Sequence, residues 1–85
     1  MPKSVFTVAY KTFLKTIIRA RKDAGVTQVE LACSLGKPQP WVSNYENGIR
    51  RIDIIEFYAV ARAIGADPVD LFTKIARKLP KKVEV

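Results

Sequence analysis

The strongest constraint on this chain is a helix-starting device that occurs twice. In "VTQVEL", residues 26–31, Thr27 and Glu30 stand three apart as a capping box, and Val26 and Leu31 occupy the two positions of a hydrophobic staple. In "RIDIIEF", residues 51–57, Asp53 and Glu56 repeat the box and Ile52 and Phe57 the staple. A third start follows in "GADPVDLF", with Asp67 as N-cap, Pro68 at the first helical position and Asp70 in the first turn. Stop signals fall between these starts. Gly25 is placed to end a first helix over roughly residues 7–24, whose Tyr10, Phe13, Leu14 and Ile17 recur at helical spacing. A second helix ends near Leu35–Gly36, a later one runs through Val60, Ala61 and Ile64 to Gly65, and Pro80 closes the last. No stretch alternates apolar and polar residues over a useful strand length. The expectation is an all-α chain: a compact five-helix domain with its core over residues 7–79 and a short charged tail, 80–85.

Composition narrows the chemistry. The 85 residues include no histidine and one cysteine, Cys33, so a Cys/His metal site, an internal disulfide and His-dependent catalysis are all excluded. Cys33 reads as a packing or surface residue. No motif pairs a nucleophile with a base, and the acids sit mostly at helix starts, where capping accounts for them. The expectation is a protein that is not an enzyme and takes no cofactor or metal. No apolar run is long enough to span a membrane, and "MPKSVFTVAY" lacks a signal peptide's apolar core, so a cytoplasmic protein is expected. Charge is uneven. Residues 1–52 carry nine Lys/Arg against three acids, and residues 53–85 carry six against five. A polyanion-facing side in the first part fits that bias, as does a merely solubilising surface.

The most specific signal lies in "QVELACSLGKPQPWVSNYEN". Counting from Gln28, Leu31, Ala32, Leu35, Gly36, Val42 and Tyr45 fall at positions 4, 5, 8, 9, 15 and 18 of a twenty-residue unit. Two helices crossing closely at a short turn need a small residue where they touch, and Ala32 supplies it. Their turn needs a residue tolerant of left-handed dihedrals, and Gly36 supplies that. The four large apolar residues bury one face of each helix. This is a helix-turn-helix unit, whose second helix enters the DNA major groove. That helix opens with Pro38-Gln39-Pro40. Proline loses nothing where the first N–H groups have no partner, and Pro40 biases Gln39 away from helical dihedrals. Gln39 is therefore expected as N-cap and Pro40 as the first helical residue, over a helix 39–47.

Beyond this unit, the chain resembles the XRE (lambda-repressor-like) helix-turn-helix family over about residues 10–72. The resemblance rests on "ARKDAGVTQVELACSLG", "PQPWVSNYENG" and "VARAIGADPVDLF" in that order. It implies a five-helix DNA-binding domain that acts as a transcriptional repressor or regulator, usually as a homodimer on a palindromic operator. It also assigns roles. Gln39, Ser43 and Asn44 would read bases, and a glutamine or asparagine can bond adenine at N6 and N7. Gln28 would bond a phosphate at the helix start, where free N–H groups favour anions. Asn47, Arg50 and Arg51 would follow the sugar–phosphate backbone; Lys37, in the turn, is a further phosphate candidate, and Trp41 stands either on the flank against that backbone or partly buried against another helix. Arg21 and Glu46 match a pair tying the first helix to the end of the recognition helix. The sequence departs from the family at Pro38, commonly Ser or Thr, and at Pro40, commonly polar. Pro40 cannot hydrogen-bond a base, and an N-cap role would occupy the Gln39 side chain.

The last helix carries Leu71, Phe72, Ile75 and Leu79, more apolar side chains than capping needs. Some close the core, and the excess is expected to form a homodimer seam. Double-stranded DNA is the expected partner, in the cytoplasm at the nucleoid, and the absence of a ligand-binding segment leaves room for a regulatory protein partner. A stand-alone repressor, a restriction–modification controller and a DNA-binding antitoxin remain open. So does a different class, a protein-interaction module that uses the same fold without DNA.

Overall fold

A computed structural model describes residues 7–84. Five helices occur in them: α1 (Val8–Asp23), α2 (Gln28–Leu35), α3 (Gln39–Glu46), α4 (Ile54–Ala63) and α5 (Pro68–Lys78). No strand occurs among the described residues.

Four of the five helices start on the capping side chains that hydrogen-bond chemistry favours. Thr7 accepts from the Tyr10 N–H at 3.1 Å, and Asp67 accepts from Val69 at 2.8 Å. Both expected boxes close. The Thr27 N–H donates to Glu30 at 2.9 Å while the Glu30 N–H donates to Thr27 at 3.0 Å. Asp53 and Glu56 exchange the same bonds at 2.9 and 2.7 Å.

The exception is α3. Pro38, not Gln39, is its N-cap, at φ −71° and ψ 152°, with Gln39 and Pro40 already inside the helix. An N-cap needs an extended backbone and a carbonyl that accepts the first helical bond; it does not need an N–H. Pro38 meets both needs, and its carbonyl accepts from the Trp41 N–H at 2.9 Å. The bias that Pro40 places on Gln39 is thereby overridden, and no side chain caps this helix. The Gln39 amide is left free for other partners.

One apolar cluster joins all five helices, with Ile17, Leu31, Val42, Tyr45, Val60 and Ile75 fully buried at its centre. Each such side chain contributes about 1.5–3 kcal/mol of burial free energy. Burial also pushes the Tyr45 phenol well above its ordinary range, the neighbouring Glu46 carboxylate adding to the effect.

The dimer expectation changes here. Leu71 and Ile75 are only 3% and 1% exposed, so they belong to the domain's own core, and Leu79 packs against it. A core this small needs the last helix to cover it, which uses the inner half of the α5 stripe. Phe72 alone of the four remains open, at 49% exposure.

Candidate nucleic-acid interface

The geometry of α2, its turn and α3 follows from two small residues. Ala32 is buried where the two helices pack. Gly36 sits at φ 67° and ψ 31°, the left-handed conformation that glycine adopts without cost. It allows the Lys37 N–H to return to the Ala32 carbonyl at 2.9 Å, while its own N–H reaches Cys33 at 3.1 Å. The chain is thereby turned out of α2 and into Pro38 within two residues.

With Val42, Tyr45 and Glu46 buried, the 3.6-residue period puts Pro40, Ser43, Asn44 and Asn47 on the outward arc of α3 and its cap, with Gln39 at the flank beside Glu46. Pro40 and Asn47 are exposed and the other three half-buried. The Ser43 hydroxyl donates to the Pro40 carbonyl at 3.3 Å, and Asn47 ends the helix. Of the expected base-reading residues, Ser43 and Asn44 therefore lie on the outward arc and Gln39 at its edge.

Behind that arc runs a connected polar chain. Arg21 of α1 is 9% exposed at its side chain and Glu46 of α3 is 4% exposed. The Arg21 Nε and Nη2 donate to the two Glu46 oxygens at 2.7 and 3.0 Å, and its Nη1 donates to the Val26 carbonyl at 2.8 Å. Gln28, the first residue of α2, donates from Nε2 to Glu46 Oε1 at 2.8 Å. Gln39, the first residue of α3, donates from Nε2 to Gln28 Oε1 at 2.7 Å. Every buried side-chain N or O atom among the described residues has a partner. The Arg21–Glu46 pairing was legible by resemblance. The two glutamine bonds were not, because both join residues remote in sequence.

The basic residues divide into two groups. Trp41, half-buried, packs its ring edge-on against Tyr45 at 5.5 Å and takes Arg50 over its face at 4.9 Å and Lys37 at 5.9 Å. Arg50 also bonds both oxygens of Glu56, at 2.5 and 3.4 Å. That hydrogen bond, with the Asp53 N–H, holds the Glu56 carboxyl below its ordinary range. Arg50 is thus a fixed cation tied to the start of α4. Arg51 diverges from it and lies 4.2 Å over the Tyr10 ring of α1. Trp41, Lys37 and Arg50 are therefore brought together beside α3, whereas Arg51 stacks on Tyr10, which belongs to a separate aromatic group with Phe13, Phe57 and Phe72. Sequence reasoning missed the Arg50–Glu56 pair because Glu56 was already assigned to its capping box; its second oxygen was free to take the guanidinium.

Among the described residues no helix is long and apolar enough to cross a membrane, and no group of acidic or thiol side chains could hold a metal ion.

Residues 17–71 match the family model described as Helix-turn-helix. A relative from Sinorhizobium fredii, an uncharacterized HTH-type transcriptional regulator designated y4dJ, is 36% identical over 55 residues, 65% of this chain and 71% of that protein. Among solved structures, an XRE-family like protein from Pseudomonas syringae superposes with a TM-score of 0.79 at 46% identity, covering 85% of this chain and 88% of that one. The clp gene regulator ClgR from C. glutamicum shares the fold, with a TM-score of 0.73 at 23% identity over 88% and 97% of the two chains. The matched span contains the capped α2, the Gly36 turn and α3, and the chain belongs to the XRE-type helix-turn-helix family.

Proposed function

We propose that this protein is a transcriptional regulator that represses by binding a palindromic operator as a homodimer, each copy laying α3 in the major groove. The observation that carries this reading is the outward arc of α3. It presents Ser43 and Asn44, with Gln39 at its edge and neither an acidic nor a broad apolar surface among them. Short amide and hydroxyl side chains on a helix of this exposure suit base edges. Gln39, Ser43 and Asn44 read bases. Gln28, Lys37, Trp41, Asn47, Arg50 and Arg51 meet the phosphate backbone, Arg50 from a position set by Glu56 and Trp41. A DNA-bound regulator of this kind works in the cytoplasm, at the nucleoid.

The homodimer reading now rests on a different surface from the α5 stripe alone. Ile54, Tyr58, Val69 and Phe72 are all exposed and line one apolar cleft between α4 and α5. Two copies meeting there would cover it.

Selection of bound fragments from a random DNA pool tests the function. A palindromic consensus with half-sites about 34–36 Å apart is the expected result. Recovery of no preferred sequence would refute it.

A further inference from the structure

The basic bias of residues 1–52 does not collect around α3. Four of its nine cations, Lys11, Lys15, Arg19 and Lys22, stand exposed on α1. Their spacing of four, four and three residues aligns them in one stripe, away from the buried Tyr10, Leu14, Ile17 and Arg21. Arg21 reaches Glu46 of α3 from the buried side, so the stripe and α3 lie on different sides of α1. Folding does not call for this stripe. Like charges three or four residues apart on a helix repel, and three such pairs run along α1. Asp23 takes Arg19 at 3.1 Å, while Lys11, Lys15 and Lys22 have no carboxylate within 4.0 Å among the described residues. The first turns of α2, α4 and α5 each carry an acid; that of α1 carries none, and Lys11 follows it near the positive end of the helix dipole. A surface that serves only to stay in water mixes both signs along a helix. A stripe of one sign that weakens its own helix fits a ligand bringing the opposite charge.

We propose that the outward face of α1 is a second DNA site, indifferent to sequence and separate from α3, through which the protein holds a second duplex while α3 holds the first. From Lys11 to Lys22 the stripe is about 16 Å long at 1.5 Å per residue, the length of about five phosphates along one DNA strand. Lysine and arginine heads on flexible stems meet phosphates without reading bases. An acidic protein partner is the poorer fit, because protein interfaces are built on aromatic and apolar anchors and are depleted in lysine. The stripe holds no aromatic residue, and Val8, at its end, is the one large apolar side chain exposed beside it among the described residues. The α1 site stands whether or not α3 reads sequence; only the bridging of two duplexes rests on the proposal that α3 binds an operator.

The test anchors a duplex of the sequence selected from the random pool, saturates it with protein and adds a short fluorescent duplex of unrelated sequence. Wild type should capture the second duplex, with a slope of log affinity against log salt of about −3. Lys11→Gln, Lys15→Gln and Lys22→Gln combined should lower capture by about tenfold or more and binding to the anchored duplex by less than about threefold. Arginine at the same three positions should keep capture, and the glutamine variant should unfold at no lower temperature than wild type, since repulsion within α1 is relieved. No capture by wild type, or equal capture by the glutamine variant, overturns the inference and leaves the reading of α3 intact. Loss of capture in Lys74→Gln with Lys78→Gln on α5, but not in the α1 variant, also overturns it. So does tighter capture of polyglutamate than of the duplex, which would make α1 a protein-docking face. Should the pool yield no preferred sequence, the reading of α3 fails by itself; the free protein is then titrated with the unrelated duplex. Shifts in the side-chain resonances of Lys11, Lys15, Arg19 and Lys22 uphold the α1 site, and their absence overturns it.

Discussion

Arg21 and Glu46, 25 residues apart in sequence, form a bidentate ion pair in the interior between α1 and the last residue of α3. Removing one partner leaves the other charge buried and unpaired. Glu46→Ala should therefore destabilise the fold by about 3–5 kcal/mol, measured by urea unfolding. The double change Arg21→Met with Glu46→Leu should cost far less than the sum of the single changes. Simple additivity would show that the pair is not the coupled unit the geometry describes.

Gly36 makes a separate prediction about the turn. A Cβ added there meets no atom within 4 Å, so the cost of substitution comes from the positive φ of 67° and not from crowding. Gly36→Ala should lower stability by about 1 kcal/mol, and Gly36→Asn by less, since asparagine tolerates this conformation better. Equal losses for both in thermal unfolding would point to a steric cause instead.

Glu56 links stability to pH. Arg50 and the Asp53 N–H lower its pKa from the ordinary 4.5, and the Thr27 N–H lowers that of Glu30. The unfolded chain then binds more protons than the folded one in this window, so stability rises with pH there. The contribution is present above pH 4.5 and is lost as pH falls through the depressed folded values. Glu56→Gln should flatten the urea midpoint against pH below 4.5; a slope equal to wild type would mean that the Arg50 pair does not persist in solution.

Lys37 is an exposed cation at the mouth of the turn, its ammonium 5.9 Å from the centre of the Trp41 ring. Lys37→Ala should weaken binding to all DNA sequences alike and reduce the slope of log affinity against log salt by about 1. Fluorescence anisotropy across a salt series measures this. A sequence-dependent loss would instead make Lys37 a base contact.

Phe72 and Ile75 separate assembly from folding. Phe72 is half-exposed beside Ile54, Tyr58 and Val69, whereas Ile75 is in the core. Phe72→Lys should yield a folded monomer in sedimentation, and Ile75→Lys an unfolded chain. Dimers retained in Phe72→Lys would move the seam elsewhere.

The elements were legible in the sequence because their signals are local. A capping box, a staple or a glycine just past a helix acts within five residues, so Thr27, Asp53, Asp67 and Gly36 announce the structure around them. The helix-turn-helix spacing is local too. Gln39 shows where such reasoning stops. Its expected role as N-cap followed from Pro40 alone, but the carbonyl of Pro38 and the rest of α3 decided otherwise.

By itself, then, the sequence determined where the capped helices start, where helices stop and which faces are apolar. Only the tertiary structure decided which half of the α5 stripe closes the core, where Arg50 and Arg51 part, and which way the Gln28 and Gln39 amides point. Those outcomes depend on side chains that meet across the fold. A group such as Glu46, with no donor to offer, sets the direction of a bond network only after packing has brought Arg21, Gln28 and Gln39 within reach of one another.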